Sequence, residues 1–305
     1  VPVSASHEVL AEFREYERTS TTVVDAYVRP PIQRYLARLD ERATAAGVPT
    51  PRIMQSNGGI ADSSTVRERA VTTVLSGPAA GVISADAVET DREGLITFDM
   101  GGTSSDVSLL GEDGAEITTD AEIDGRPIGT PMVDIHTVGA GGGSIGWVDA
   151  GGALRVGPQS AGATPGPAAY GRGGTEPTVT DADIVLGYIG EDAELGGDLS
   201  LDADAARAAL GSLAESAGLD DALAAARGVY RVANANMTRA IRAVTVERGH
   251  DPRRFGLCAF GGAGPMHAAA IADTLGVDTV VVPYASGVRS AFGLLSADEK
   301  HDAAR

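Results

Sequence analysis

Lysine is almost missing from this chain. Lys300 is the only one, and every other member of its 24 lysine and arginine residues is arginine. That excludes a P-loop of the GxxxxGK[ST] type and a Schiff-base mechanism, since each needs a lysine in its motif or at its reacting centre. Cysteine is equally scarce: Cys258 stands alone, so there is no internal disulfide and no cysteine-built metal site, which favours a reducing, cytoplasmic setting. Positive charge is short overall, with a net charge of -18, and no basic patch is available for nucleic acid or for an anionic membrane surface. No uninterrupted apolar run of about 18 residues occurs and no charged-then-apolar leader opens the chain, so a soluble protein without a membrane role is expected.

What is present is ample apolar material, 43% of 305 residues, enough for two domains with cores of their own. The acidic excess has two readings. It fits a protein kept hydrated in concentrated salt, where screening weakens self-repulsion, and it also fits an acidic surface kept for solubility alone.

Periodicity predicts an α/β organisation. Residues 8 to 46 read as mostly helical, with Val24, Tyr27, Val28, Ile32, Tyr35 and Leu36 at helical spacing in spite of Pro30 and Pro31. "RIMQSNGGI" reads as a strand entering a glycine turn, and "SGPAAGVISADAVE" as a helix opened by Ser76 and Pro78. Residues 124 to 180, rich in Gly, Pro and Thr, read as strands and close-packed loops. Helix returns at 203 to 218 and 221 to 248. The tail then alternates: the strand "FGLCAF", a glycine loop, the helix "PMHAAAIADTLG", the strand "DTVVVP" and a last helix from about 287. Such βαβα order predicts a mostly parallel region with its ligand at the carboxyl ends of the strands.

Chemistry concentrates in "LITFDMGGTSSDVSLL", residues 95 to 110. Two apolar strands flank a turn carrying Gly101, Gly102 and Thr103, with Asp99 and Asp106 on either side. Glycine N–H groups suit a phosphate, and the carboxylates suit the divalent cation that accompanies a nucleotide. An ordinary hairpin with a polar turn is the competing reading. A second glycine cluster, "FGGAGPMHAA", puts Gly261, Gly262 and Gly264 between an apolar strand and a helix, where free N–H groups and the positive helix end face a ligand. Its spacing does not match GxGxxG, which argues against NAD. A tight helix entry would need the same glycines. In "DIHTVGAGGGSIGWVD", Asp134 and His136 would share one face of an extended strand and could bind a metal or polarise a carbonyl, against the alternative of a hydrogen-bonded structural histidine. His7, His250, His267 and His301 are weaker candidates and no catalytic role is assigned to them. Cys258 and Trp147 read as packing residues.

Taken in order, "SGPAAGVISADAV", "LITFDMGGTSSDVSLL", "FGGAGPMHA" and "GVRSAFGLLSAD" resemble the connecting helix, second phosphate loop, adenosine loop and second connecting helix of the actin, hexokinase and Hsp70 ATPase superfamily, which has a ribonuclease-H-like α/β fold. The wording "DMGGTSSDV", "DIHTVGAGGGSIGWVD", "MQSNGGI", "VERGHDPRRF" and "FGGAGPMHA" is similar to the hydantoinase A and 5-oxoprolinase family, from about residue 7 to 300. The resemblance implies ATP-dependent opening of a cyclic amide such as a hydantoin or 5-oxoproline, commonly beside a hydantoinase B partner. ATP-dependent carboxylation of a ketone is the alternative within the family, and a non-catalytic nucleotide-gated module the alternative outside it.

The implied roles follow. Gly101, Gly102 and Thr103 would hold the terminal phosphates, Gly261, Gly262 and Gly264 the adenosine and α-phosphate, and Asp99 with Asp106 a Mg²⁺ ion through its waters. Asp106 could instead be a turn carboxylate bonded to its own backbone. Asp99 and His136 are the catalytic candidates, and Asp134 with His136 leaves room for a second divalent metal. Family members begin with a further segment bearing a D-x-G-G-T loop, which does not occur upstream of Asp99, and the chain opens at Val1. The expectation is therefore a central domain of a longer protein, with residues 1-87 as the connecting segment of a first lobe and 88-305 as the second lobe. By that expectation the isolated chain would be inactive.

Overall fold

The computed structural model describes residues 2–190, 192–197, 199–300 and 302, which leaves His301 outside the described residues. The chain divides into two compact units, one made of Val1–Glu89, Leu110–Ile135 and Val288–Arg305, the other of Thr90–Leu109 and His136–Gly287.

The first unit is built on the helix Glu15–Ala45, preceded by the short helix Ser6–Val9 rather than continuing from it. Pro30 and Pro31 lie inside the long helix and remove two backbone donors, so its own ladder is broken at that point. Tertiary anchors hold it instead. Buried Asp25 accepts from Val71 N at 3.0 Å and Ser4 Oγ at 2.5 Å, Thr21 Oγ1 accepts from Gly129 N at 3.0 Å, and Arg29 donates to the carbonyls of Val3 and Arg67. Leu36, Ala61 and Val66 form a small apolar core on the same helix.

"RIMQSNGGI" forms an antiparallel pair, Ile53–Met54 with Ile60–Ala61. The sole lysine closes over its turn: Lys300 Nζ donates to Asn57 O at 3.3 Å, and its stem fills the space where a Cβ on Gly59 would stand. Its role is structural. Helix Ser76–Asp86 packs on the last helix, Arg289–Ser296, where Arg289 donates to Ser84 Oγ at 3.0 Å and to Ser84 O at 2.5 Å.

The second unit is centred on a sheet with the strand order His136–Val138, Ser105–Gly111, Leu95–Met100, Gly256–Phe260, Val280–Val281. Gly256–Phe260 is buried along its whole length and runs parallel to both of its neighbours. Cys258 is at its middle, fully buried, as its apolar surroundings predict. His136–Val138 is antiparallel to Ser105–Gly111. The tail strands are parallel, as their βαβα order predicts, and the sheet as a whole is mixed, because the four-residue link from Met100 to Ser105 is too short for a crossover and can only turn back.

Helix Ala203–Ala217 starts on the Asp202 cap and ends at Gly218 in the left-handed region. Helix Ala222–Val244 starts on the Asp221 cap and buries Ala225, Val229, Ala233, Met237 and Ile241, one ridge at i+4 spacing. It stops at Val244, short of residue 248, and a 3₁₀ turn follows over Val246–Arg248. Ser144–Val148 and Leu154–Ser160 make an antiparallel ribbon. Trp147 sits there only partly covered, its Nε1 donating to Gly157 O at 2.8 Å. Among the described residues no helix is long and apolar enough to cross a membrane.

Candidate functional site

Asp99 is the penultimate residue of strand Leu95–Met100, half-buried at its carboxyl end. The chain turns through Gly101–Ser104, closed by Gly101 N donating to Ser104 O at 3.0 Å, and re-enters the sheet at Ser105. Gly102 and Thr103 at the tip are exposed, and a Cβ on Gly102 would meet nothing within 4 Å. Burial, and then the charge of Asp106, push the Asp99 carboxyl up to about 6. Asp106 is also raised by burial, and a hydrogen bond from Thr137 opposes that rise. Thr137 Oγ1 donates to Asp106 Oδ1 at 2.6 Å from the directly opposed position on the neighbouring strand. Asp106 thus lies inside a strand and is held across it, not by its own turn backbone.

Two further segments close on this turn. The first is the glycine run 139–143. Gly142 N donates to Gly101 O at 3.0 Å and Gly143 N to Gly102 O at 2.6 Å. At Gly141 the approach is closest, since a Cβ there would stand 2.6 Å from Thr103 C and 2.7 Å from Ser104 N. Gly141 to Gly143 therefore lie against the backbone of the turn.

The second is the loop after strand Gly256–Phe260. Gly261 adopts φ +82°, and a Cβ on it would fall 2.3 Å from Asp99 Oδ1 and 2.4 Å from Met100 O. Only glycine fits there. Ala263 N donates to Met100 O at 2.9 Å, and helix Gly264–Leu275 begins at once, with Pro265 in its first turn. Gly262 is exposed, and a Cβ on it would meet nothing within 4 Å. The structure thus brings Asp99, Asp106, Gly101, Gly102, Thr103, Gly261, Gly262 and Gly264 to one end of one sheet.

The remaining candidates lie elsewhere. Strand Met132–Val133 ends before Asp134, which belongs to the first unit, and a new strand begins at His136 in the second. The single extended strand expected to place them on one face is absent. His136 is exposed, and Thr137 beside it makes the contact to Asp106. Among the described residues no three His, Cys, Asp or Glu side chains gather as metal ligands.

Thr137 carried no signal, since a threonine in a strand is commonplace. Thr180 was equally silent, though it reaches the glycine run from another helix: its N and Oγ1 donate to Gly142 O at 2.7 and 2.9 Å.

Comparison with known proteins identifies the family and the fold. The family model Hydantoinase/oxoprolinase matches residues 18–303. The chain is 44% identical over 306 residues to the caprolactamase subunit alpha of Pseudomonas jessenii, covering 98% of this chain and 44% of that one. It is 39% identical over 310 residues to the 5-oxoprolinase of Saccharomyces cerevisiae, covering 97% and 24%. Among solved structures, the ATP-dependent caprolactamase from Pseudomonas jessenii superposes with a TM-score of 0.85 at 43% identity, over 97% of this chain and 43% of that one. Nucleotide-free acetone carboxylase superposes with a TM-score of 0.86 at 30% identity, over 96% and 42%.

The chain spans less than half the length of each of these relatives. The expected α/β fold of the actin, hexokinase and Hsp70 type stands with these matches. The chain belongs to the hydantoinase/oxoprolinase family.

Proposed function

We propose that the second unit binds Mg²⁺-ATP and that the protein uses it to open the ring of a small cyclic amide. One observation carries this reading: Gly261 packs directly on Asp99, so two glycine loops from separate strand ends meet at one carboxylate. The triphosphate would lie along Gly101, Gly102 and Thr103, and the adenosine along Gly261, Gly262 and Gly264, the open faces of Gly102 and Gly262 leaving room for it.

Mg²⁺ fits the same place. Asp99 and Asp106 are two half-buried carboxylates close enough that the charge of Asp106 raises Asp99, and a cation relieves that repulsion. Two carboxylates, with no third His, Cys, Asp or Glu gathered beside them among the described residues, suit Mg²⁺, which keeps several of its waters. The ion would neutralise charge on the phosphates during transfer.

The reaction balances as follows. The amide oxygen attacks the γ-phosphorus and ADP departs. Water adds to the activated carbon and the ring C–N bond breaks to leave an acyl phosphate and a free amine, and a second water then attacks the acyl carbon so that the phosphate leaves with the former amide oxygen. The ring opens to an amino acid while ATP becomes ADP and phosphate. His136, exposed at the head of its strand, is proposed to polarise the substrate carbonyl. A hydantoinase B-type subunit is the proposed partner, in keeping with a relative that is itself an alpha subunit.

Phosphate release measured with 5-oxoproline, a hydantoin and caprolactam tests the reading. Release that rises with one of them supports it. The similarity to acetone carboxylase favours a second reading, in which release depends on a ketone and bicarbonate. Release indifferent to all of these additions overturns both.

A further inference from the structure

Asp183, Asn234 and His267 meet in the interior of the second unit, away from solvent and outside the site described above. His267 and Asp183 are fully buried. His267 Nδ1 lies 2.7 Å from Asn234 Oδ1. A carbonyl oxygen only accepts, so Nδ1 carries the hydrogen and Nε2 is left to face Asp183, whose Oδ2 is 3.4 Å away. Both groups are buried, with no other hydrogen-bond partner at Nε2 or at the carboxylate oxygens among the described residues, so each faces the other alone. The ring of Tyr230 stacks on His267 at 4.9 Å and its hydroxyl donates to Met266 O at 3.0 Å.

This cluster does not favour stability over apolar packing. Burying an Asp and a His costs several kcal/mol in desolvation, and apolar replacements of such pairs are often as stable or more so. What a directional contact supplies is orientation.

The position of the cluster says what it orients. Asp183 lies on helix Val179–Val185, whose amino end is fixed by a capping box between Thr178 and Asp181. One turn before Asp183, Thr180 grips Gly142, and Gly142 and Gly143 in turn hold Gly101 and Gly102. His267 lies in the first turn of the helix that begins at Gly264. The same short helix therefore reaches the first glycine loop through Thr180 and the second through Asp183.

We propose that helix Val179–Val185 is a strut that sets the spacing between the two glycine loops, with Asp183 and His267 as positioning residues for the nucleotide. This rests on the reading of the loops as the Mg²⁺-ATP site.

The test compares Asp183→Leu with Asp183→Asn in the full protein, by calorimetric titration with Mg²⁺-ATP and by melting without nucleotide. Asp183→Leu is expected to melt lower than the wild type, since it leaves buried Nε2 facing an apolar group, and, at a temperature where it is fully folded, to bind Mg²⁺-ATP about tenfold more weakly, the size of loss typical when a supporting group behind a site is removed. Asp183→Asn is expected to retain most of the affinity, because its amide donates to Nε2. Wild-type affinity in Asp183→Leu overturns the strut and leaves the nucleotide site standing. Absence of Mg²⁺-ATP binding by the wild type overturns the site itself and the strut with it. Should Asp183→Leu not fold, hydrogen exchange of the wild type decides: saturating Mg²⁺-ADP is expected to slow exchange along the buried helix Val179–Val185, and unchanged exchange there overturns the proposal.

Discussion

Thr137 Oγ1 donates to Asp106 Oδ1 at 2.6 Å, tying the second carboxylate of the candidate site to the neighbouring strand. The bond favours the ionised form and opposes the rise that burial imposes on Asp106. Thr137→Val keeps the shape and removes the donor. The Mg²⁺ concentration for half-maximal ATP hydrolysis is expected to rise about fivefold to tenfold, the equivalent of one hydrogen bond to a partly exposed charged group. An unchanged Mg²⁺ requirement would remove Asp106 from the metal.

Asp99→Asn takes away charge and almost no volume. Turnover of Mg²⁺-ATP in the full protein is expected to fall by at least about 100-fold, since the carboxylate acts electrostatically. Far-ultraviolet circular dichroism should match the wild type. Retained turnover would sink the phosphate-loop assignment.

The same substitution has an opposite effect on stability in the metal-free protein. Folding raises Asp99 from 3.8 to about 6, so the folded state prefers it protonated. Its contribution is fully present below 3.8 and is lost as the pH rises through 6, leaving an uncompensated carboxylate at neutral pH. Asp99→Asn is therefore expected to melt higher than wild type at pH 7.5, by about 1 to 2 kcal/mol once partial exposure is discounted, with the gain vanishing at pH 4. Melting curves at the two pH values check the sign.

Gly261 and Gly262 separate packing from binding. Gly261→Ala drives a methyl group into Asp99 and Met100 at a positive φ, and is expected to lower stability by at least about 2 kcal/mol. Gly262→Ala meets no protein atom within 4 Å. It should melt like the wild type and bind Mg²⁺-ATP more weakly, because the added methyl occupies the space proposed for the nucleotide. Full affinity in Gly262→Ala would leave the loop as a tight helix entry and nothing more.

A net charge of -18 repels itself at low ionic strength. Raising KCl from about 0.1 M to 1 M shortens the Debye length from about 10 Å to about 3 Å, and the melting temperature is expected to rise with it. A flat response would favour an acidic surface kept for solubility alone.

Sequence and structure agree where the signal is local. The glycine turn between two strands was legible because glycines, a hydroxyl and carboxylates fall together between apolar runs, and the caps of the helices starting at Ala203 and Ala222 stand next to the residues they cap. The short approach of Gly141 to Thr103, the Thr137 bond and the Asp183–His267 contact were not legible, because each joins segments brought together only by the sheet and its helices. Helix Glu15–Ala45 was legible from its apolar spacing, whereas the anchors that hold it past two prolines, such as Val71 and Gly129, were not.

The parallel pairing that seats Gly261 beside Asp99 joins Gly256 to Leu95, about 160 positions earlier in the chain. Contacts so far apart in sequence form late and slowly, since the intervening loop must close before they yield anything. A growing chain that has emerged only as far as the first glycine turn therefore has that turn without the second glycine loop beside it. The proposed nucleotide site is complete only once "FGLCAFGGAG" has been made and has docked beside Leu95–Met100.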